Sequence, residues 1–226
     1  MKLGVLFSGG KDSTLALHYA VEKAEVLCLV TLFSENKESY MFHTPNIELT
    51  ALQAEALELP LISKVTEGKP EEELKDLKAA IEQAIMDFEI EGLVTGAVES
   101  IYQASRIQQL CNLLNIWCVN PLWKRDQKQL LKEVVAKGFK TIISGVFAYP
   151  LDKKWLGKQM DEMMIEQLLA LSDDYGLSPS GEGGEIETTV LDAPLFKNKL
   201  EILDSEVKAK GNSGVFMIKK ARLNKK

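Results

Sequence analysis

The chain has 226 residues, of which 46% are hydrophobic and 27% charged, which suits one large domain or a domain with a small annex. It contains no apolar run near the roughly 18 residues that a membrane span requires, and no signal-peptide core follows Met1, so we expect a soluble, cytoplasmic protein. The formal net charge of -6 argues against extended nucleic-acid binding.

The first predicted elements are a short apolar strand over residues 3–7, the turn Ser8-Gly9-Gly10, and a helix that begins near Asp12 and Ser13. The glycines permit positive φ angles and a close backbone approach. The first N–H groups of a helix lack partners within it, and the helix dipole adds partial positive charge. This turn is therefore built to bind an anion such as phosphate.

The residues of this turn decide between two phosphate-binding patterns. A Walker A loop is excluded, because Val5 and Asp12 stand where its first glycine and its Ser or Thr belong. The run Ser-Gly-Gly-Lys-Asp-Ser at residues 8–13 instead resembles the PP-loop of ATP pyrophosphatases, which split ATP into AMP and pyrophosphate. The alternative is a glycine-rich turn that only reverses the chain.

A second strand, predicted over residues 26–33, completes a βαβ unit with parallel strands. Ligands of doubly wound sheets bind at the carboxyl ends of the strands, which brings Thr31, Leu32 and Phe33 beside the glycine turn. We predict that these residues contact adenine. His43 lies in the following polar loop and either contacts nucleotide or bonds to nearby backbone.

Further strands are predicted over residues 61–65, 93–98, 116–119 and 141–146, with helices between them. Residues 1–147 thus form a predicted α/β domain, a doubly wound and mainly parallel sheet. Residues 148–226 have shorter β-type stretches and form a predicted smaller C-terminal α+β domain.

Polar residues follow the strand at 93–98. Gly96 would allow a ligand to approach closely, and Tyr102 and Arg106 share a helix face because they are four residues apart. We predict that Arg106 reaches a phosphate, with an exposed surface pair as the alternative. Gln103 lies on the same segment and is assigned, with Tyr102, to substrate binding.

A second signature lies at residues 181–187, where the glutamates Glu182, Glu185 and Glu187 alternate with three glycines. Such a loop could bind a cation or ammonium or act as a general base, and the alternative is a flexible acidic turn. Its meaning comes from the motifs that accompany it.

These motifs occur in a fixed order: SGGKDS, then GAVESIYQASR at residues 96–106, PLW with Asp126, and GEGGEIET followed by LDAPLF at residues 181–196. The whole series resembles the diphthine–ammonia ligase family of PP-loop enzymes, and it covers nearly the whole chain. Ile186 and Thr189 depart from the family pattern, in which aromatic residues are expected.

The resemblance implies an adenine nucleotide alpha hydrolase-like fold and the ATP-dependent amidation of diphthine, a modified histidine on translation elongation factor 2, by ammonia. Lys11 would then neutralise the polyphosphate and Asp12 would bind Mg²⁺. Glu182, Glu185 and Glu187 would collect ammonium, remove its proton, or position the trimethylammonium group of diphthine. Gly183 and Gly184 would line the acceptor site.

Two rival functions remain open. The first is a PP-loop enzyme that adenylates a tRNA base for thiolation or amine transfer, although the lone cysteines Cys28, Cys111 and Cys118 argue against sulfur delivery. The second is a nucleotide sensor that carries out no chemistry. Residues 197–226 carry nine Lys/Arg against three Asp/Glu and form either a solvated basic end or a docking surface. The oligomeric state is open, with a homodimer as one alternative.

Overall fold

The computed structural model describes residues 1–36 and 45–226. The first half of the chain forms a five-stranded sheet in which every paired strand is parallel to its neighbour. Its strands are β1 (Lys2–Leu6), β2 (Glu25–Ser34), β3 (Leu61–Thr66), β4 (Gly92–Val94) and β5 (Trp117–Val119). The spatial order is β3-β2-β1-β4-β5.

Helices cover both faces of this sheet, which confirms the predicted doubly wound α/β fold. These helices are α1 (Lys11–Lys23), α2 (Thr50–Leu57), α3 (Pro70–Phe88), α4 (Ile101–Leu113) and α5 (Gln127–Ala136). A sixth helix, α6 (Glu162–Tyr175), belongs to a separate buried cluster. One buried cluster joins the sheet to α1, α2 and α5, and a second joins it to α3 and α4. Among the described residues, no helix is both long and apolar enough to cross a bilayer.

The strand order explains where a ligand can bind. The chain moves outward from β1 through β2 to β3, and then returns to the other side of β1 with β4. Loops at the carboxyl ends of β1 and β4 therefore diverge to opposite faces of the sheet and leave a crevice between them. The glycine turn after β1 lies at this crevice.

The second sheet is antiparallel and has the order β7-β6-β9-β8. Its strands are β6 (Lys140–Val146), β7 (Ile186–Asp192), β8 (Asn198–Lys210) and β9 (Ser213–Lys225). The assignment of residues 141–146 to the parallel series is therefore wrong. A buried strand has the same apolar sequence in either kind of sheet, and the direction of its partners follows only from the tertiary structure.

Candidate active site

Gly96 lies against the start of α1. A Cβ atom added to Gly96 would lie 2.7 Å from the backbone nitrogen of Ser13 and 2.9 Å from the carbonyl carbon of Asp12. Both contacts are to backbone, which cannot rotate away as a side chain can. Gly96 thus allows the loop after β4 to pack directly on the beginning of the helix that follows the glycine turn.

Replacing Gly96 by alanine is expected to raise the KM for ATP about tenfold and to lower the melting temperature. The added methyl group would force the loop after β4 away from the start of α1. Nucleotide titration and thermal unfolding of the same variant would measure both effects. A variant with the wild-type KM for ATP would show that the spacing of these loops does not matter for binding.

The glycine turn is held by the second sheet as well as the first. The Gly9 carbonyl oxygen accepts hydrogen bonds from Val190 N and from the buried Gln53 Nε2, both at 3.0 Å. Thr188 Oγ1 accepts a hydrogen bond from Lys11 N at 3.1 Å. Because Val190 and Thr188 lie on β7, this strand joins the acidic loop to the anion-binding turn.

Two local features fix the conformation of the glycine turn. Gly9 has a φ of 75°, and a Cβ atom there would lie 2.1 Å from Gln53 Oε1, so only glycine fits. Ser8 N and Ser8 Oγ both lie within 3.3 Å of Ser13 Oγ, which closes the loop across its own base.

Lys11 is a buried cation surrounded by acids. The residue is only 3% exposed, and its Nζ donates to Asp12 Oδ2 at 2.7 Å and to the Ser180 carbonyl oxygen. Burial by itself would lower the pKa of Lys11, but the carboxylates of Asp12, Glu182 and Glu187 outweigh it and raise the pKa. Lys11 therefore stays charged and ties the glycine turn to the acidic loop.

Two glutamates of the loop share this environment. Burial raises the pKa of Glu187 to about 7, with Lys11 opposing the shift and Asp12 and Glu182 adding to it. Burial, followed by repulsion from Asp12, also raises the pKa of Glu182, although Lys11 and a hydrogen bond from Glu99 N at 3.0 Å oppose the shift. A carboxyl group with a pKa near neutrality is suited to act as a general base.

Glu185 has different contacts. Its Oε1 accepts a hydrogen bond from Ser178 N at 3.0 Å, which closes the loop on itself. Its Oε2 is buried and has no hydrogen-bond partner among the described residues. One oxygen of Glu185 thus stabilises the loop, and the other is available to a cation.

Gln127, the first residue of α5, organises the acidic loop. Its Oε1 accepts hydrogen bonds from Ser178 Oγ at 2.7 Å, from Ser180 Oγ at 2.8 Å and from Ser180 N at 3.2 Å. Its Nε2 donates to Glu99 Oε2 at 3.1 Å. Gln127 therefore joins the segment that contacts Lys11 to the segment that contacts Glu182.

Replacing Gln127 by leucine is expected to lower kcat by one to two orders of magnitude, because three donors lose their acceptor and the loop can no longer hold Ser180 against Lys11. Gln129→Leu is the matched control, since Gln129 lies exposed on the same helix. A fall in melting temperature with an unchanged kcat would show that Gln127 only stabilises the fold.

Three of the predicted adenine contacts lie at the carboxyl end of β2. Thr31 is buried and its hydroxyl donates to the Phe7 carbonyl oxygen at 2.6 Å, while the Leu32 side chain lies in the core. Phe33 follows in a partly buried position at the end of β2. His43 lies outside the described residues.

The helix after β4 carries a stacked pair. The Arg106 guanidinium carbon lies 3.6 Å from the centre of the Tyr102 ring, so these residues share a face as predicted. Gln103 N donates to the N-cap residue Ser100 at 3.3 Å, and its side chain is partly exposed. The phosphate contact of Arg106 stays a prediction. Gly183 and Gly184 lie exposed at the tip of the acidic loop.

The carboxylates beside the glycine turn are possible ligands for a magnesium ion. No cluster of three or more metal-ligating side chains occurs among the described residues. Mg²⁺ that arrives with a nucleotide needs only one or two carboxylates, because phosphate oxygens and water complete its shell. Asp12, whose side chain is 26% exposed, and the neighbouring Glu182 have the right chemistry for this role.

Sequence reasoning missed Gln53, Gln127 and Thr188. Each one acts through hydrogen bonds to residues more than forty positions away. The proline-tryptophan motif ahead of Asp126 was the only nearby signal, since Asp126 is the N-cap of α5 and accepts a hydrogen bond from Gln129 N. That cap fixes the helix end from which Gln127 projects.

Two solved structures show a limited similarity to this chain. One is described as a predicted subunit of tRNA methyltransferase from Methanocaldococcus jannaschii, with 22% identity, a TM-score of 0.44, and coverage of 86% of this chain and 98% of that one. The other is a 4-thiouridine synthetase in complex with RNA and bound ATP, with 15% identity, a TM-score of 0.44, and coverage of 84% and 55%.

Curated relatives are more similar. Proteins named diphthine–ammonia ligase from Mus musculus and Homo sapiens are 37% and 34% identical, cover 91% and 92% of this chain, and are themselves covered over 84% and 85% of their length. A protein of the same name from Schizosaccharomyces pombe is 35% identical over 92% of this chain, which spans 37% of that longer relative.

Models of one family cover both halves of the chain. The diphthamide synthase N-terminal domain matches residues 1–117, and the diphthamide synthase C-terminal domain matches residues 126–223. The chain therefore belongs to the diphthamide synthase family, whose relatives named above are diphthine–ammonia ligases.

Proposed function

We propose that this chain uses ATP and ammonia to amidate the carboxylate of diphthine on translation elongation factor 2, giving diphthamide, AMP and pyrophosphate. The observation that carries the proposal is the contact of Lys11 with Ser180, which joins an anion-binding turn to a loop of glutamates in one crevice. A protein that only binds nucleotide has no need for the second group.

The first step activates an unreactive acid. A free carboxylate does not accept ammonia, because oxide would have to leave. Its oxygen instead attacks the α phosphorus of ATP, the bond to the β-phosphate oxygen breaks, and pyrophosphate leaves. The N–H groups of Asp12 and Ser13 in the first turn of α1, together with the ammonium of Lys11, bind the pyrophosphate as its charge develops.

The second step forms the amide. The lone pair of ammonia attacks the carbonyl carbon of the acyl-adenylate, AMP leaves with the electrons of its bond to carbon, and one proton is lost overall. We assign proton removal to Glu187, whose pKa of about 7 suits a base at neutral pH, and a supporting role to Glu182. Glu185 Oε2, which has no hydrogen-bond partner among the described residues, would bind the ammonium ion before that ion loses its proton.

Asp12, with Glu182 beside it, would hold the magnesium ion. When bound, the ion neutralises negative charge on the polyphosphate. Tyr102, Gln103, Gly183 and Gly184 would border the diphthine side chain. Cytoplasmic location and a homodimeric state stay predictions.

Mass spectrometry provides the decisive test. Diphthine-bearing elongation factor incubated with enzyme, ATP and ammonium should lose about one dalton, because an acid becomes an amide. AMP rather than ADP should accumulate, with one molecule of AMP for each amide formed. Glutamine supplied instead of ammonium should give no product. Formation of ADP, or modification of tRNA in place of the elongation factor, would contradict the proposal.

A further inference from the structure

A shallow surface cavity, widely open to solvent and bordered by two lysines, lies one strand away from the acidic loop. Its volume is about 390 Å³, and it lies between Phe147 and the turn that joins β8 to β9, with Lys208, Lys210 and Val215 among its lining residues. Phe147 is 40% exposed although its ring is large and apolar. The cavity therefore combines an apolar wall with two cations.

Backbone contacts connect this cavity to the catalytic crevice. Phe147 N donates a hydrogen bond to the Glu185 carbonyl oxygen at 2.9 Å. In the second sheet Gly145 pairs with Glu187 on one side and with Val215 on the other. Neighbouring strands are about 4.8 Å apart, so the cavity begins about 10 Å from Glu187.

Nearby acids neutralise the two cations only in part. Glu206 Oε2 lies 4.0 Å from Lys208 Nζ but only 2.7 Å from Lys219 Nζ, so its stronger ion pair is with Lys219. Lys210 has no carboxylate within 4.0 Å among residues 1–36 and 45–226. The catalytic crevice is acidic, so the chain presents charges of opposite sign side by side.

We propose that this cavity docks an acidic segment of the protein substrate, with a carboxylate held between Lys208 and Lys210 and an apolar neighbour against Phe147. The inference rests on the proposed function, since it names how the elongation factor is recognised close to its modified residue. A docking site here would let the long diphthine side chain reach the crevice while the folded body of the elongation factor remains outside the crevice.

The lining favours a protein segment over nucleic acid. A single aromatic ring borders the cavity, whereas sites for single-stranded nucleic acid stack successive bases on several rings. The acids Glu201, Asp204 and Glu206 interrupt the basic residues along the β8-β9 hairpin and would repel a continuous phosphate backbone.

Charge reversal at one end of the hairpin tests the proposal. The double variant Lys208→Glu, Lys210→Glu is expected to raise the KM for diphthine-bearing elongation factor at least about tenfold at low salt, with kcat and the KM for ATP unchanged. Phe147→Ala should raise the same KM without a change in charge.

The matched control places the same change of charge at the other end of the hairpin. Lys199 and Lys225 lie about 30 Å from the cavity along the strands, and their reversal to glutamate should change that KM less than twofold. Equal losses in both double variants, or an unchanged KM in the first, would overturn the inference.

A direct measurement of elongation-factor binding distinguishes a failure of this inference from a failure of the proposed function. If the wild-type enzyme binds the elongation factor, and the cavity variant does not, while no amide forms, then docking stands and the reaction is wrong. If bulk tRNA displaces the elongation factor from the wild-type enzyme and binds the cavity variant poorly, then the cavity serves nucleic acid and the docking proposal fails.

Discussion

Replacing Lys11 by methionine is expected to lower the rate of AMP formation at least about 10³-fold, because the departing pyrophosphate loses a buried, preorganised cation. Methionine has nearly the same length as the lysine stem and fills the buried site without charge. Steady-state release of AMP and pyrophosphate in the presence of ammonium and diphthine-bearing elongation factor measures the effect.

Lys23→Met is the control for this prediction, since Lys23 lies exposed at the far end of the same helix. It should leave the rate within twofold. The melting temperature of Lys11→Met should be measured as well, because removal of the lysine ammonium leaves the carboxylates of Asp12, Glu182 and Glu187 without their counter-charge. A folded Lys11→Met enzyme within tenfold of the wild-type rate would refute the role of Lys11.

The second large effect concerns Glu187 and pH. Because the pKa of Glu187 is about 7, we expect it to be protonated, and inactive as a base, in more acidic solution. The kcat/KM for ammonia should therefore rise about tenfold per pH unit below 7 and level off above it. Glu187→Gln should remove this acid limb and lower the plateau by two to four orders of magnitude.

Ammonium itself loses a proton as pH rises, so the measurement must hold the concentration of free ammonia constant at each pH. Glu185→Gln is the matched control from the same loop, because glutamine can still accept the hydrogen bond from Ser178 N. Its profile should keep the acid limb whatever its rate. An acid limb that survives in Glu187→Gln and vanishes in Glu185→Gln would exchange the roles of the two residues.

The same shift in pKa affects stability with a defined sign. Glu187 binds its proton more tightly in the folded chain than in the unfolded chain, so its contribution to folding is complete at low pH and disappears as pH rises through about 7. The partly exposed position of Glu187 will reduce this effect on stability. The catalytic profile is therefore the sharper measurement.

The anion-binding turn could be predicted because all its determinants are adjacent in sequence. An apolar strand, two glycines and a helix start within thirteen residues indicate an anion-binding turn from local sequence alone. The contacts of Gln53 and β7 that hold this turn in place are visible only in the folded chain. The order of motifs likewise indicated the family. The acidic loop was recognised in the same way, as a cluster of glutamates and glycines.

Long-range pairing decided the rest. The sequence of β6 is apolar in either sheet, and only its hydrogen bonds to β7 and β9 show that it runs antiparallel. Three glutamates in one loop are chemically alike, yet Glu187 lies on β7 near Lys11 whereas Glu185 turns back to Ser178. The amino-acid sequence determined which chemical groups are present, and the pairing of β7 with the glycine turn determined which of them face Lys11, because burial and neighbouring charge exist only in the folded chain.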